Sequence, residues 1–195
     1  MKIFVGTTNP AKFRDTKRIL ERYGYEVVGA RELGLESVEE NGDTLKENAL
    51  HKAKLYAKRS GLPTVADDAG LEIEALGGEP GVRSRRIGDE TDETIIRYIM
   101  RRMEGVKDRN ARFHTVVAFS FSDGTVYTSE VVVKGIIPAH ASEKRDKGYP
   151  YRSLFYFPHL HKYSIDLSLE EYEQYSSRTK ALKRLIIRLK KQHIL

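Results

Sequence analysis

Pro63-Thr-Val-Ala-Asp-Asp-Ala-Gly-Leu71 is an apolar run that ends in two adjacent acids, Asp67 and Asp68, with a glycine close behind. An apolar run ending in acids reads as a strand whose carboxyl end delivers charge to a cleft, the place where open α/β sheets put their ligands. Gly70 lets the backbone turn tightly after them. Side by side, two carboxylates repel unless a cation, a proton or a hydrogen-bond donor compensates them. Taken alone, the same residues also describe an exposed Asp-Asp turn, since turns are rich in Asp and Gly. The segments around the pair decide between these readings.

Upstream, Lys2-Ile-Phe-Val-Gly6 reads as a buried first strand because its middle is continuously apolar. Thr7-Thr8-Asn9-Pro10 supplies capping residues, and a helix is expected from Ala11 to Tyr23, with Phe13, Thr16, Ile19, Leu20 and Tyr23 at helical spacing. Residues 26–30 read as a second strand. After the Asn41-Gly42-Asp43 turn, Asp43 or Thr44 caps a helix that runs to about Ser60, where Gly61 and Pro63 end it. Gly77-Gly-Glu-Pro-Gly81 is a tight loop, and a helix from about Asp92 to Met103 follows. The clearest hairpin joins residues 112–121 to 125–134 across Ser122-Asp123-Gly124. The stretch from Tyr149 to Phe157 reads as an aromatic loop with an edge strand. Ser177 to Lys191 reads as a basic amphipathic helix with Leu182, Leu185, Ile186 and Leu189 facing inward. The expected fold is α/β: an elongated mixed sheet flanked by helices, one domain over residues 1–195 whose two lobes enclose a central substrate cleft without a linker.

The chain has 195 residues, with 34 Lys and Arg against 28 Asp and Glu and a formal charge of +6. Such a balance favours anionic partners without separating nucleic acid from nucleotides. Cysteine is absent, which excludes a disulfide framework, a thiolate metal site and a thiol nucleophile. No apolar run is long enough for a membrane span, and Met1-Lys-Ile-Phe-Val-Gly6 reads as a strand start rather than a secretory signal. These features fit a cytoplasmic protein. His159 and His161 are two apart, with His51 and His114 far off in sequence, so the histidines make no zinc set. A Ser-His-Asp hydrolase is disfavoured by the lack of a G-x-S-x-G elbow.

Two further segments offer chemistry. Thr7-Thr-Asn-Pro-Ala-Lys12 brings hydroxyls, an amide, backbone N–H groups and a lysine to a helix N-terminus, which suits phosphate oxygens. It is neither a P-loop nor a G-x-G-x-x-G turn, and an ordinary capped βα turn accounts for it equally well. Glu39-Glu-Asn-Gly-Asp-Thr44 precedes a helix on which Asn48 and Lys52, four apart, share a face. Solvated helix charge is the default reading. The alternative puts a Glu and a Lys beside Asp67 and Asp68, as Mg²⁺ and a phosphate would require, because Mg²⁺ takes one or two carboxylates plus waters and substrate phosphates.

Taken in order, Thr7-Thr-Asn-Pro-Ala-Lys12, Glu40-Asn-Gly-Asp-Thr-Leu-Lys-Glu-Asn-Ala-Leu-His-Lys-Ala53, Ala66-Asp-Asp-Ala-Gly-Leu71, Ala75-Leu-Gly-Gly-Glu-Pro-Gly-Val82 and Ser176-Ser-Arg-Thr-Lys-Ala-Leu182 span nearly the whole chain. In this combination the chain resembles the inosine triphosphate pyrophosphatase family, enzymes that hydrolyse non-standard purine nucleoside triphosphates. The resemblance implies that Thr7, Thr8, Asn9 and Lys12 hold the triphosphate, with Lys52 beside it, and that Ala69, next to the acids, also binds the substrate. It implies that Glu40 and Asp68 bind Mg²⁺, that Asp67 supports the acidic cluster, and that Asp68 orients or deprotonates the attacking water. It further implies cleavage between the α- and β-phosphates, giving a nucleoside monophosphate and pyrophosphate, and a homodimer.

The base-reading half departs from the family pattern. Where that pattern has Gly-Phe-Gly-Tyr-Asp-Pro, this chain has Gly148-Tyr-Pro-Tyr-Arg-Ser153. Tyr149 or Tyr151 keeps an aromatic platform, but Arg152 replaces an acid. Ser177 replaces the histidine of a Ser-His-Arg motif that ends here in Arg178, Lys162 matches a lysine loosely, and Arg83 replaces an aromatic. A carboxylate accepts from an N–H edge, whereas a guanidinium only donates. The expectation is an intact hydrolytic half with altered base selectivity. Two alternatives stand beside it: a related enzyme acting on a modified pyrimidine nucleotide, and a non-enzymatic nucleic-acid binder using the basic last helix with Arg83, Arg85 and Arg86.

Overall fold

A computed structural model describes residues 1–84 and 91–195; Arg85 and Arg86 lie outside the described residues. Strands β1 (Lys2–Val5), β2 (Glu26–Gly29) and β3 (Thr64–Ile73) are followed by β4 (Asn110–Ser120), β5 (Val126–Ile136), β6 (Tyr156–Phe157) and β7 (Lys162–Tyr163). The helices are α1 (Pro10–Arg22), α2 (Leu45–Ser60), α3 (Asp92–Arg102), α4 (Leu169–Tyr175) and α5 (Ser177–Lys191). One seven-stranded sheet runs in the order β2-β1-β3-β4-β5-β6-β7. It is mixed: β1 pairs in parallel with β2 and β3, whereas β6 pairs antiparallel with β5 and β7.

The chain folds into two compact units. One comprises Met1–Asp68, Thr115–Val131 and Ser177–Leu195, the other Ala69–His114 and Val132–Ser176. The chain passes from one to the other inside β3, β4 and β5 and again at Ser176–Ser177, between α4 and α5. Among the described residues no helix is long and apolar enough to cross a membrane.

In the first unit, Ile3, Phe4 and Val5 are fully buried, which is why a strand with no polar alternation forms at the sheet's interior. The connection from β1 through α1 leads to β2 on one side, and α2 then brings the chain back to β3 on the other. The space beyond the carboxyl end of β1 is therefore a topological switch point, the usual ligand crevice of such sheets. Pro10 opens α1 at its first position, and Thr44 caps α2 through a reciprocal capping box with Glu47. Gly61 ends α2 at φ 68°, a conformation that favours glycine. Phe4 and Tyr56 pack ring to ring at 5.3 Å within a cluster that includes Val28, Ala30 and Val38.

In the second unit, Ile95, Ile96, Ile99 and Met103 are buried, and Phe155 lies 4.5 Å from Phe113 and 5.1 Å from Phe157 between ring centroids. The Arg109 guanidinium donates to the carbonyls of Ile137, Pro138 and Met103, fastening a loop whose carbonyls need donors.

Two sequence expectations are corrected. The acids lie within β3, not at its end, because the strand continues through Gly70 and Leu71 to Ile73. Gly70 makes no turn: a Cβ there would collide with the Gly81 carbonyl oxygen, so the glycine admits a close-packed neighbouring backbone. Helix α4 was not anticipated; Ser168 and Glu171 form a second capping box that marks its start.

Candidate active site

Successive side chains on a strand point to opposite faces, and Asp67 and Asp68 exploit this. The Asp67 carboxylate meets Lys12 Nζ of α1 at 3.2 Å and Arg178 Nε of α5 at 3.1 Å. The Asp68 carboxylate turns to α2, accepting from Asn48 Nδ2 at 3.0 Å and lying 3.7 Å from Lys52 Nζ. Both acids are almost wholly buried. Lys52, at 6 % exposure, joins the two sides: its ammonium donates to the Asp67 backbone carbonyl at 2.7 Å and to Glu40 Oε1. The register explains why the chain can do this. Val5 pairs with Val65, so the acids fall just past the end of β1, and the Gly6 amide donates to the Val65 carbonyl at 2.8 Å.

Three cations, Lys12, Lys52 and Arg178, thus face three carboxylates, Glu40, Asp67 and Asp68. The acids differ sharply. Burial pushes Asp67 upward, but Arg178, Lys12 and Lys52 outweigh it and hold the carboxyl well below the usual carboxylate range. For Asp68 burial wins over Lys52 and Lys12, and its carboxyl is pushed up. Burial likewise lowers Lys12, which Asp67 offsets only in part. Burial also works against the Lys52 ammonium, yet Asp68, Glu40 and Asp67 together raise it. Asp67 is the more acidic of the pair and Asp68 the more basic. Two like groups with divergent environments are the usual mark of an acid–base site.

Asn48 is the residue the sequence reading left without a role, although its i, i+4 spacing from Lys52 was visible. Its amide nitrogen donates to Asp68, and its Oδ1 accepts from the Gly42 amide at 2.8 Å. One side chain therefore fixes both Asp68 and the loop that carries Glu40. A Cβ on Gly42 would stand 2.8 Å from Asn48 Oδ1, so this approach requires glycine. Asn48→Ala would take the acceptor from the Gly42 amide and one donor from Asp68, which keeps Lys52 at 3.7 Å. We expect a loss of about 1–3 kcal/mol in urea denaturation, and turnover at least about tenfold lower.

The loop after β1 forms the capped βα turn. Asn9 Oδ1 caps α1, accepting from Ala11 N at 2.9 Å and Lys12 N at 3.3 Å, so two first-turn amides are already satisfied. Thr7 Oγ1 accepts from the Asn9 amide at 3.2 Å, and Thr8 is exposed. Of the residues expected to hold phosphate, Lys12 contacts Asp67 at 3.2 Å, and Lys52 beside them contacts Glu40 and Asp68.

In the second unit, Tyr149 and Tyr151 are buried, and the Tyr151 hydroxyl donates to the Ser84 carbonyl. Arg152 donates to Asp146 Oδ2 and, at 3.1 Å, to the Ser164 carbonyl, while its guanidinium lies 4.5 Å from the Tyr172 ring centroid. Asp146 and Tyr172 were not foreseen as its partners. Lys162 pairs with Glu171 at 2.6 Å, and Ala69, half-buried, follows Asp68 in β3. Back in the first unit, Ser177 is buried and shares a 2.7 Å hydrogen bond with Thr115.

Among the described residues no group of three or more His, Cys, Asp or Glu side chains gathers to hold a metal. Glu40 and Asp68 nevertheless share one ammonium, Lys52, and so face a common spot. Two hard oxygen donors fit Mg²⁺, which leaves its other positions to water and phosphate, and do not fit an all-protein cage.

The Ham1 family model matches residues 3–188. The chain is 40% identical over 189 residues to a protein of Thermus thermophilus called dITP/XTP pyrophosphatase, covering 95% of this chain and 90% of that one. It is 38% identical over 194 residues to a Yersinia pestis protein of the same name, with 95% and 96% covered. Among solved structures, a Staphylococcus aureus Ham1 protein superposes with a TM-score of 0.84 at 32% identity over 98% of this chain and 100% of that one. A Coxiella burnetii HAM1 protein does so with a TM-score of 0.86 at 30% identity over 98% and 99%. A match over nearly the full length, at these identities and with the expected motifs in order, leads to one conclusion: the chain belongs to the Ham1 family.

Proposed function

We propose that this protein is a nucleoside triphosphate pyrophosphohydrolase that cuts non-standard nucleotides such as inosine and xanthosine triphosphates, ribo or deoxy, between the α- and β-phosphates. The observation that carries the reading is the buried cluster at the β1 switch point, where three cations meet three acids, one of them the more basic Asp68. Phosphoryl transfer asks a protein mainly for positioning and charge neutralisation. Lys12 and Lys52 supply positive charge for the triphosphate, with Thr7, Thr8 and Asn9 at the mouth of the same loop. Asp68 orients the attacking water and takes up its proton, which its buried, raised carboxyl suits. Asp67, held by Lys12 and Arg178, keeps both cations in place. Glu40 and Asp68 would hold Mg²⁺. When bound, the ion neutralises charge developing on the phosphate oxygens. The whole chain acts as one functional domain, and the cysteine-free composition and the family resemblance support a cytoplasmic homodimer as its working form.

The same reading includes altered base selectivity. Arg152 cannot accept from an N–H edge, and Asp146, Ser164 and Tyr172 already engage its guanidinium. The test is turnover of a panel comprising inosine, xanthosine, the four standard and modified pyrimidine nucleoside triphosphates with Mg²⁺, products identified. Pyrophosphate and monophosphate from purine analogues are the expected products, with a narrowed margin over the standard nucleotides. Orthophosphate as the first product, or no turnover of any nucleotide, would refute the activity. A strong preference for inosine triphosphate would refute the altered selectivity alone.

A further inference from the structure

Asp67 and Arg178 stand 111 positions apart in sequence, yet the Arg178 Nε lies 3.1 Å from Asp67 Oδ2. What aims Arg178 is the first turn of α5, since Arg178 is the second residue of that helix. Farther along, Leu182, Leu185, Ile186 and Leu189 are buried, so apolar packing fixes the body of the helix. In the first turn, before those apolar anchors, the buried side chains are the hydroxyl residues Ser177 and Thr179. Ser177, 7 % exposed, meets Thr115 Oγ1 of β4, a residue 1 % exposed, at 2.7 Å. Either hydroxyl serves as donor.

We infer that the Thr115–Ser177 hydroxyl pair is a positioning device: it fixes the opening turn of α5 on β4 so that Arg178 stays on Asp67. The inference rests on reading the buried charge cluster as the catalytic site. It assigns Thr115 a part in the reaction that no motif in the sequence signals, and it gives Ser177 a partner inside the protein instead of the nucleotide base. Neither residue touches a reacting atom, so both act through Arg178. The effect of losing the bond is a slackened Arg178, and an Asp67 carboxylate left to Lys12 at 3.2 Å and the more distant Lys52.

The test is a double-mutant cycle of Thr115→Val with Arg178→Ala, read in two ways: inosine triphosphate hydrolysis with Mg²⁺, and urea denaturation. Valine matches threonine in shape and removes only the hydroxyl. The expected result is a fall in kcat of about 5- to 20-fold for Thr115→Val with KM changed less than about twofold, and nearly full recovery in Thr115→Ser. In the Arg178→Ala background, Thr115→Val should cost under about twofold more, since neighbours acting through one contact are not additive. The denaturation midpoints should show the same non-additivity. Independent effects in both cycles, an unchanged kcat in Thr115→Val, or a serine variant no better than valine would overturn the inference. If the unaltered protein hydrolyses no nucleotide, the proposed activity fails, while the denaturation cycle still decides the coupling of Thr115 to Arg178.

Discussion

Asp68→Asn is expected to lower kcat by about 10²- to 10⁴-fold, the usual worth of a positioned acid–base group. Asparagine keeps the side chain's size and leaves an oxygen to accept from Asn48 Nδ2, now at 3.0 Å. What it removes is the negative charge and the basic oxygen beside Lys52. At about 1.4 kcal/mol per tenfold, the loss corresponds to about 3–5 kcal/mol of transition-state stabilisation. Stability should move by less than about 1 kcal/mol, because two effects oppose. The buried carboxyl loses its desolvation penalty, and Lys52 loses one partner while retaining Glu40 and the Asp67 carbonyl. Steady-state pyrophosphate release together with a thermal melt checks both halves. Turnover within tenfold of the unaltered protein would transfer the role to Asp67. That assignment would be hard to reconcile with a carboxylate tied up by Arg178 and Lys12.

This contrast between neighbours could not be read from the sequence. Asp67-Asp68 announced charge that needed compensation, and the capping residues around Asn9 and Thr44 announced the helices that bring it. Helix periods located α1, α2, α3 and α5 within a residue or two, because each has a buried stripe and a marked end. The strand continuing past Gly70 was hidden, since a glycine that makes room for a neighbouring backbone looks in sequence like a glycine that turns. Position on opposite faces of β3 gives the two acids different partners, and only the register with β1 places those faces. Asn48 was visible as a neighbour of Lys52 but not as a bridge, for its second partner is a backbone amide six residues earlier. Arg152 could be recognised as a departure from the family pattern. Its neutralisation by Asp146 depended on a loop conformation that no motif encodes.

Lys52→Met should be the most destabilising single change in the site, by about 3–5 kcal/mol, the cost of removing one partner from a buried ionic group. Methionine fills nearly the same volume, so a cavity contributes little. The damage is electrostatic: Glu40 and Asp68 would face each other with no ammonium between them, and the Asp67 carbonyl would lose its 2.7 Å donor. For a chain of this length each kcal/mol shifts Tm by about 2–4 °C, so a drop of roughly 6–20 °C is expected. Activity should fall as well, because a triphosphate loses one of two lysines. Glu40→Gln separates the causes. In the double variant Lys52→Met/Glu40→Gln one uncompensated charge is gone, and we expect about half the lost stability to return while turnover stays low. A double variant no more stable than Lys52→Met would mean that packing of the lysine stem, not its charge, holds α2 against β3. Buried acids would then be tolerated here without their counter-ion, and the cluster's charge balance would cease to be the reason for its arrangement.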